Sequence, residues 1–371
     1  MYKRQALSLA HAYLVYPAIA ILLGAGRCCS VCDSLPAVSV LVPAHNEASV
    51  IAEKIDNLLT LDYPPEQIEL IILDDGSTDQ TAEVVQSKLL KGIRLIQVDP
   101  RNGKASSMNR LAQEARHPLL LFSDANVMFS LNAVRRLVDS IANDNVGAVT
   151  GEVRLEGSDQ EFGVGEALYY WMERRIQSAE SRIGSVMGVD GGMFLLRREL
   201  YEPIPIDTIL DDFLISTNVM RLGKRVIYEA SAKATESGTP SSKQESTRRV
   251  RIAAGAVQLL RRGNVPHISQ PVLWFQFVSH KLLRWVSPFL FIALFVCSTI
   301  LARNNSFYMA AFVIQTLAGL WFLLTWICRP VRKTSLGSIG FYFFISQVAM
   351  VAGTVKGIFN LQPPQWKKGG R

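Results

Sequence analysis

The sequence predicts an α/β domain with a mostly parallel central sheet, set between hydrophobic segments at either end. Three observations carry that prediction. Short apolar runs alternate with helical periodicity from Val38 to Phe122, the order expected of a parallel sheet with crossover helices. Three of those runs stop abruptly at polar or acidic residues. The apolar residues, 49% of the 371-residue chain, concentrate at the N-terminus and after residue 271, which leaves a soluble middle between membrane-like ends.

The first element is an apolar stretch over residues 6–26, from Ala6 through Tyr13 and Pro17 to Leu23, about the length a bilayer requires. Small residues near Gly24–Gly26 would suit signal-peptide cleavage, but His11 interrupts the stretch and no compact apolar centre precedes them. An uncleaved anchor is therefore expected. Cys28, Cys29 and Cys32 follow with no histidine nearby to complete a zinc site. Five cysteines in so long a chain make no disulfide framework; reduced thiols on the cytoplasmic side are expected, with juxtamembrane acylation as the alternative.

Val38–Val42 is a β-branched run that stops at Pro43, and residues 48–60 then place Ile51, Ile55, Leu58 and Leu59 on one helical face. Ile68–Leu73 is a continuous apolar run, as a strand buried on both faces requires, and it ends in Asp74-Asp75-Gly76. Ser77-Thr78-Asp79-Gln80 fits a capping box that opens a helix through Val85 and Leu89. Arg94–Val98 and Leu119–Phe122 repeat the strand pattern. No glycine-rich fingerprint follows the first strand, so a dinucleotide fold lacks its phosphate-binding signature.

The strand ends matter most. His45-Asn46-Glu47, Asp74-Asp75 and Ser123-Asp124-Ala125-Asn126 each close a strand, and in open α/β sheets ligands bind beyond the carboxyl ends. Carboxylates gathered there repel one another unless a cation joins them. A hard divalent ion with oxygen ligands, Mg²⁺ or Mn²⁺, meets that need and would bring a phosphate with it. Any single Asp after a strand is more often a turn residue or a cap; three successive strand ends point to a site.

Three further apolar segments follow, over residues 285–302, 306–328 and 336–355. Mixed basic and aromatic residues from Ser279 to Trp285 suit a membrane interface, and the Arg329–Lys333 cluster should face the cytoplasm, on the same side as the soluble domain. The last segment is open between a third crossing and a re-entrant or interfacial helix, because Gln347 and Lys356 weaken it and a crossing would put the basic tail Lys367–Arg371 outside. The expected division is an anchor over 1–35, a cytoplasmic domain over 36–265, and a membrane region over 266–371 with two to three spans. The formal charge of +7 shows no zinc-finger spacing and no basic–aromatic stripe, so nucleic acid is not expected as a partner.

The ordered set Val42-Pro43-Ala44-His45-Asn46-Glu47, Asp74–Asp79, Arg101–Lys104, Ser123–Asn126, Gly191–Arg198, Leu210–Phe213 and Arg248–Arg251 resembles the family 2 glycosyltransferases, the group that includes cellulose and hyaluronan synthases. The resemblance covers roughly residues 36–262 and implies a GT-A type nucleotide-sugar-binding domain in an integral membrane protein of the cell or inner membrane. It implies that Asp75 contacts the nucleotide base, with Pro43, Ala44 and Glu47 at the same nucleotide-sugar pocket. Asp124 and Asn126 take the places of the metal- and diphosphate-binding pair, the second aspartate being asparagine here, and Lys104 stands where a basic residue follows the nucleotide loop. Asp212 resembles the catalytic base that takes the acceptor hydroxyl's proton, which leads to inversion at the anomeric centre. Asp211, Gly191 and Gly192 fall at the acceptor side. Read without the resemblance, Asp211 and Asp212 are equally well helix caps, ahead of a face formed by Ile215, Val219 and Leu222 and a stop at Gly223.

The largest departure is Arg248-Arg249-Val250-Arg251-Ile252, where processive synthases carry a Gln-x-x-Arg-Trp motif. Arg248 and Arg251 keep charge for the donor's diphosphate, but the tryptophan that stacks on an acceptor sugar is absent. The leading expectation is transfer of a sugar, UDP-linked, to a lipid-linked or polymeric glycan acceptor at the membrane. The alternative is a catalytically weak subunit that binds nucleotide sugar or glycan within a polysaccharide complex. A helix carrying Glu166, Tyr169, Tyr170, Trp171 and Glu173 is expected to pack rather than bind sugar.

Overall fold

The computed structural model describes residues 2–23, 35–89, 93–156, 163–237 and 242–365. The chain opens with a helix over Tyr2–Leu23, made of α1 (Tyr2–Ala10) and α2 (Tyr16–Leu23) joined by a π-helical turn at His11–Val15. The central domain then runs β1 (Val38–Ala44), α3 (Ile51–Leu59), β2 (Ile68–Asp75), α4 (Thr81–Ser87), β3 (Ile93–Val98), α5 (Lys104–Glu114), β4 (Leu119–Ser123), β5 (Val127–Phe129), α6 (Ala133–Ile141) and β6 (Val146–Glu156). It continues through α7 (Gly163–Ile183), β7 (Met193–Arg197), α8 (Asp211–Arg221), β8 (Arg225–Ser237) and α9 (Ser242–Arg261). The C-terminal part comprises α10 (Pro271–Gln276), a π-helical stretch at Phe277–Leu282, α11 (Leu283–Leu301), α12 (Ser306–Ile327), the short α13 (Arg329–Arg332) and α14 (Ser335–Ile358).

The eight strands form one sheet in the order β3-β2-β1-β4-β7-β6-β8-β5. β1 pairs in parallel with β2 and β4, and β2 with β3, so the carboxyl ends of the first four strands open on one edge. β7 runs antiparallel to β4 and β6, which gives the mixed but mostly parallel sheet expected. The strands read as continuous apolar runs because both faces are covered. Val38, Val40, Val42, Leu70 and Ile72 pack with α3 and α6 on one side. Leu41, Ile71, Leu73 and Phe122 pack with α5, α8 and α9 on the other, and Phe277 and Trp285 of the C-terminal part join that second core. The membrane-proximal segment and the central domain thus share one hydrophobic interior.

Two local readings change. The helix after Asp74-Asp75 begins at Thr81 and ends at Ser87, and its start is held by Asp79, whose Oδ1 accepts from Thr81 N at 3.0 Å. Ser77 is drawn away instead, donating to Asp74 and accepting from Asn46 N at 2.9 Å. The second apolar helix begins at Pro271 rather than near 285, because the basic–aromatic lead-in continues the helix through the π-helical stretch. Cys28, Cys29, Cys32 and the tail Lys367–Arg371 lie outside the described residues.

Among the described residues, four helices are long and apolar enough to cross a membrane: Tyr2–Leu23, Pro271–Leu301, Ser306–Ile327 and Ser335–Ile358. The first is tied to the central domain by polar contacts. Tyr16 donates to Glu180 of α7, and His280 bridges Glu180 at 2.8 Å and Glu173 at 2.9 Å. Lys281 and Arg284 complete the cluster at 3.2 and 2.7 Å from Glu173. Buried ions persist only when paired in this way.

Candidate active site

The carboxyl edge of the sheet is assembled loop by loop. Asn46, with φ +57°, turns the chain after β1, and its Oδ1 accepts from Thr78 N at 2.8 Å. His45 Nδ1 donates to the Asp75 carbonyl at 2.8 Å, and Glu47 N donates to Thr81 Oγ1 at 2.8 Å, so the ends of β1 and β2 are fixed to each other. Pro43 and Ala44 lie in register with Leu73 and Asp74 beside them. Asp75 is 3% exposed, and its two oxygens accept from Asn102 N at 2.7 Å and Gly103 N at 2.8 Å. It therefore holds the Arg101–Lys104 loop, and any contact to a base would use its remaining lone pairs. Gly76, at φ +63°, allows that closeness: a Cβ there would stand 2.8 Å from Arg101 N.

Lys104 begins α5 and joins two parts of the cleft, with Nζ 2.8 Å from Asp124 and 3.6 Å from Asp211. Burial opposes its charge, but those two carboxylates outweigh burial and raise its pKa above the ordinary lysine value. Asp211 and Asp212 form the first turn of α8, and neither is the cap, a place taken by Leu210. Asp212 Oδ1 accepts from Phe213 N at 2.6 Å. Burial first, and then neighbouring Asp211, push the Asp212 carboxyl up to about 6, with Lys104 opposing. Gly191 faces this carboxylate, since a Cβ there would lie 3.3 Å from Asp212 Oδ2; one on Gly192 would press on Val127 at 3.0 Å. Gly223, at φ +79°, ends the helix as expected.

Asn126 turns its amide to Glu236 at 3.0 Å. Arg248 reaches the Tyr170 hydroxyl at 2.7 Å, and Arg251 donates to the Ile209 carbonyl at 3.0 Å, which braces the loop before Asp211. Tyr170 is thus drawn to the cleft through Arg248 rather than serving only as packing. Two acidic residues that the sequence reading passed over belong here. Burial raises the pKa of Asp190, which accepts from Gly192 N at 3.1 Å, and burial with Asp124 raises that of Glu236. Asp124, Asp190, Asp211, Asp212 and Glu236 meet the cations Lys104 and Arg248 here, with Lys54, Arg174 and Arg251 close enough to act on Asp124, Asp190 and Lys104. The oxygen donors of Asp124 suit a hard divalent ion. No group of three or more ligating side chains is gathered among the described residues, so such an ion would complete its shell from phosphate oxygens.

The third overlooked residue is Lys54 of α3. It is fully buried, with Nζ 2.8 Å from Ser123 Oγ, bonded to the Val127 carbonyl, and 3.9 Å from the Phe129 ring centroid. It ties both ends of the loop that carries Asp124 and Asn126. Asn57, one helical turn on, exchanges two bonds with the Phe129 backbone at 2.8 and 2.9 Å. Burial lowers the Lys54 pKa to about 7, with Asp124 opposing. Its signal was present in the sequence: Lys54 stands three residues after Ile51 and four before Leu58, within the apolar face.

The profile of glycosyl transferase family 2 matches residues 39–204. Among curated proteins, the chain is 27% identical over 204 residues to the poly-beta-1,6-N-acetyl-D-glucosamine synthase of Staphylococcus aureus, covering 53% of this chain and 49% of that one. It is also 27% identical over 235 residues to the probable glycosyltransferase YdaM of Bacillus subtilis, covering 60% and 55%. The chain thus spans about half the length of the curated relatives it matches. Among solved structures, the mannosyltransferase PcManGT from Pyrobaculum calidifontis, in complex with GDP-Man and Mn²⁺, superposes with a TM-score of 0.73 over 98% of this chain and 100% of that one, at 22% identity. That likeness establishes the shared fold. Residues 39–204 thus match glycosyl transferase family 2, and the chain has a GT-A-like fold.

Proposed function

We propose that the chain is an inverting glycosyltransferase that moves a sugar from a nucleotide donor, a UDP-sugar, to a membrane-associated glycan or lipid acceptor. The observation that carries this reading is the half-buried Asp212, with a pKa pushed up to about 6, facing Gly191 in the cleft that also holds Asp124 and Lys104. A carboxylate with that pKa is mostly ionised at neutral pH yet basic enough to take a proton from a hydroxyl. Gly191 leaves room beside Asp212 for the acceptor oxygen. Lys104 and Arg248 supply positive charge for the donor's diphosphate. Asp124 would hold Mg²⁺ or Mn²⁺, which stabilises charge on the departing nucleoside diphosphate. The relatives' names support polysaccharide synthesis, the apolar helices support an integral membrane protein, and the Arg329–Lys333 cluster favours a catalytic domain on the cytoplasmic side.

Release of nucleoside diphosphate by the solubilised protein, across a panel of sugar donors with metal and with chelator, tests the proposal. Metal-dependent release from one donor, lost in Asp124→Ala and in Asp212→Asn, supports it. Tight donor binding without release from any donor favours a binding subunit, the reading to which the Asn126–Glu236 contact lends some weight.

A further inference from the structure

The chain reaches Asp211 and Asp212 through a segment, Tyr201–Leu210, that belongs to no helix or strand. Such a segment has no ladder of its own, yet Ile204 and Ile209 are buried, so their backbone groups need partners from neighbouring elements. Pro203 and Pro205 have no N–H, which leaves Ile204 the only backbone donor of that triplet.

Two side-chain amides meet that need, one from each flank. Asn109 of α5 donates through Nδ2 to the Ile204 carbonyl at 2.8 Å and accepts from Ile204 N at 2.9 Å, and the Tyr201 hydroxyl donates to the same oxygen at 2.8 Å. Gln258 of α9 donates through Nε2 to the Asp207 carbonyl at 2.8 Å and accepts from Ile209 N at 3.0 Å. A carboxamide carries an acceptor oxygen and an NH₂ donor, so each side chain offers the loop what a neighbouring peptide would. α9 follows the loop on either side of Gln258. Arg251 donates to the Ile209 carbonyl at 3.0 Å, Arg262 pairs with Asp207 at 2.5 Å, and the Cβ position of Gly255 stands 2.5 Å from Leu210 Cγ. Positions 251, 255, 258 and 262 recur at helical spacing, so one stripe lies along the segment that leads into Asp211.

We propose that Asn109 and Gln258 are positioning residues for Asp212, clamping the backbone from which α8 starts and so setting where its carboxylate stands against Gly191. The inference rests on the reading of Asp212 as the base. The two flanks carry the cations assigned to the donor's diphosphate: α5 opens at Lys104, which bonds Asp124, and α9 carries Arg248. A base tied to both helices is fixed relative to the leaving group as well as to the acceptor, and attack opposite the leaving group requires both. A displacement of about 1 Å at a reacting group costs on the order of 100-fold in rate. Loosening either clamp therefore acts on transfer and leaves the binding of donor in place.

Transfer rate and donor affinity in Gln258→Met, alone and combined with Asp212→Asn, test it. Methionine keeps the length of the side chain and removes both bonds. At saturating donor and acceptor, Gln258→Met should lower transfer by about tenfold or more, with donor affinity within about threefold of the unchanged protein. Added to Asp212→Asn, it should cost less than about twofold further, because residues that act as a unit are not additive. Transfer at the unchanged rate overturns the proposal, and so does an equal loss in both backgrounds, which a general support of the fold would give. Asn109→Asp keeps the acceptor for Ile204 N and Tyr201 and loses the donor; the same pattern is expected of it, and it decides the matter if Gln258→Met no longer binds donor. Loss of donor binding in both variants overturns the proposal. Undiminished transfer by Asp212→Asn alone is a separate result: it overturns the reading of Asp212 itself, before either amide is changed.

Discussion

Replacing Lys54 with methionine isolates what a buried cation does for the loop that carries Asp124. Methionine fills a similar volume without charge. The substitution removes bonds from the ammonium to Ser123 and Val127, each worth about 1.5–3 kcal/mol for a charged donor. It also removes a contact with the Phe129 ring worth about 2 kcal/mol when desolvated. Against these stands the cost of burying an ammonium, itself several kcal/mol (roughly 3–5). The balance is a loss of about 0–5 kcal/mol, so the domain should still fold. The local effect is one-sided, because the Val127 carbonyl loses its partner and the loop must shift to recover one, at about 1–3 kcal/mol. A displacement of about 1 Å at a reacting group can cost on the order of 100-fold in rate. The expected outcome for Lys54→Met is a protein that still folds, with a melting temperature lowered by at most about 20 °C (about 2–4 °C per kcal/mol for a domain of this size). Mn²⁺ binding in the presence of nucleoside diphosphate, read from the free-ion paramagnetic resonance signal, should weaken at least tenfold, with turnover falling further. Unchanged Mn²⁺ affinity and turnover in a folded Lys54→Met protein would refute the role given to Lys54.

Three other outcomes follow from the same geometry. Because burial and Asp211 raise the Asp212 pKa to about 6, kcat/KM should rise with pH through about 6 as the base loses its proton; Lys104→Met, which removes the opposing cation, should move that inflection upward. Gly191→Ala places a methyl 3.3 Å from Asp212 Oδ2 and should raise KM for the acceptor while nucleotide affinity, measured by calorimetry, holds. Glu180→Gln breaks a buried cluster that holds Tyr16 and His280, and a loss on the order of 3–5 kcal/mol should appear as a lower melting temperature in detergent and faster proteolysis after the first helix.

Much of this was legible in the sequence because the first half of the domain is built locally. β1, β2 and β4 are continuous apolar runs with Asp or Asn at their ends, and β1 and β2 are each followed by a helix at normal spacing, so the carboxyl edge could be assembled from the sequence. The helix after Leu210 and its stop at Gly223 were also readable, although Asp211 and Asp212 stand in its first turn and not at its cap. What escaped depends on contacts between distant segments. Lys54 and Val127 are 73 residues apart, and Asn126 and Glu236 are 110 apart, so neither pair leaves a local pattern. Asp190 hid beside two glycines that drew attention as backbone features. The last apolar helix was ambiguous because hydropathy records how apolar a face is and not what covers it; Gly353 and Gly357 serve as the contact with α9.

The central claim is that Asp212 acts on the acceptor and not on the donor. The most direct test sets donor affinity against transfer rate in Asp212→Asn, using calorimetry for a UDP-sugar that wild type turns over and a radiolabelled-sugar assay for transfer. The account predicts affinity within about threefold of wild type and transfer lowered by about 10²–10⁴, the usual loss for a missing general base. Transfer retained at the wild-type rate, or donor affinity lost in step with transfer, would contradict it.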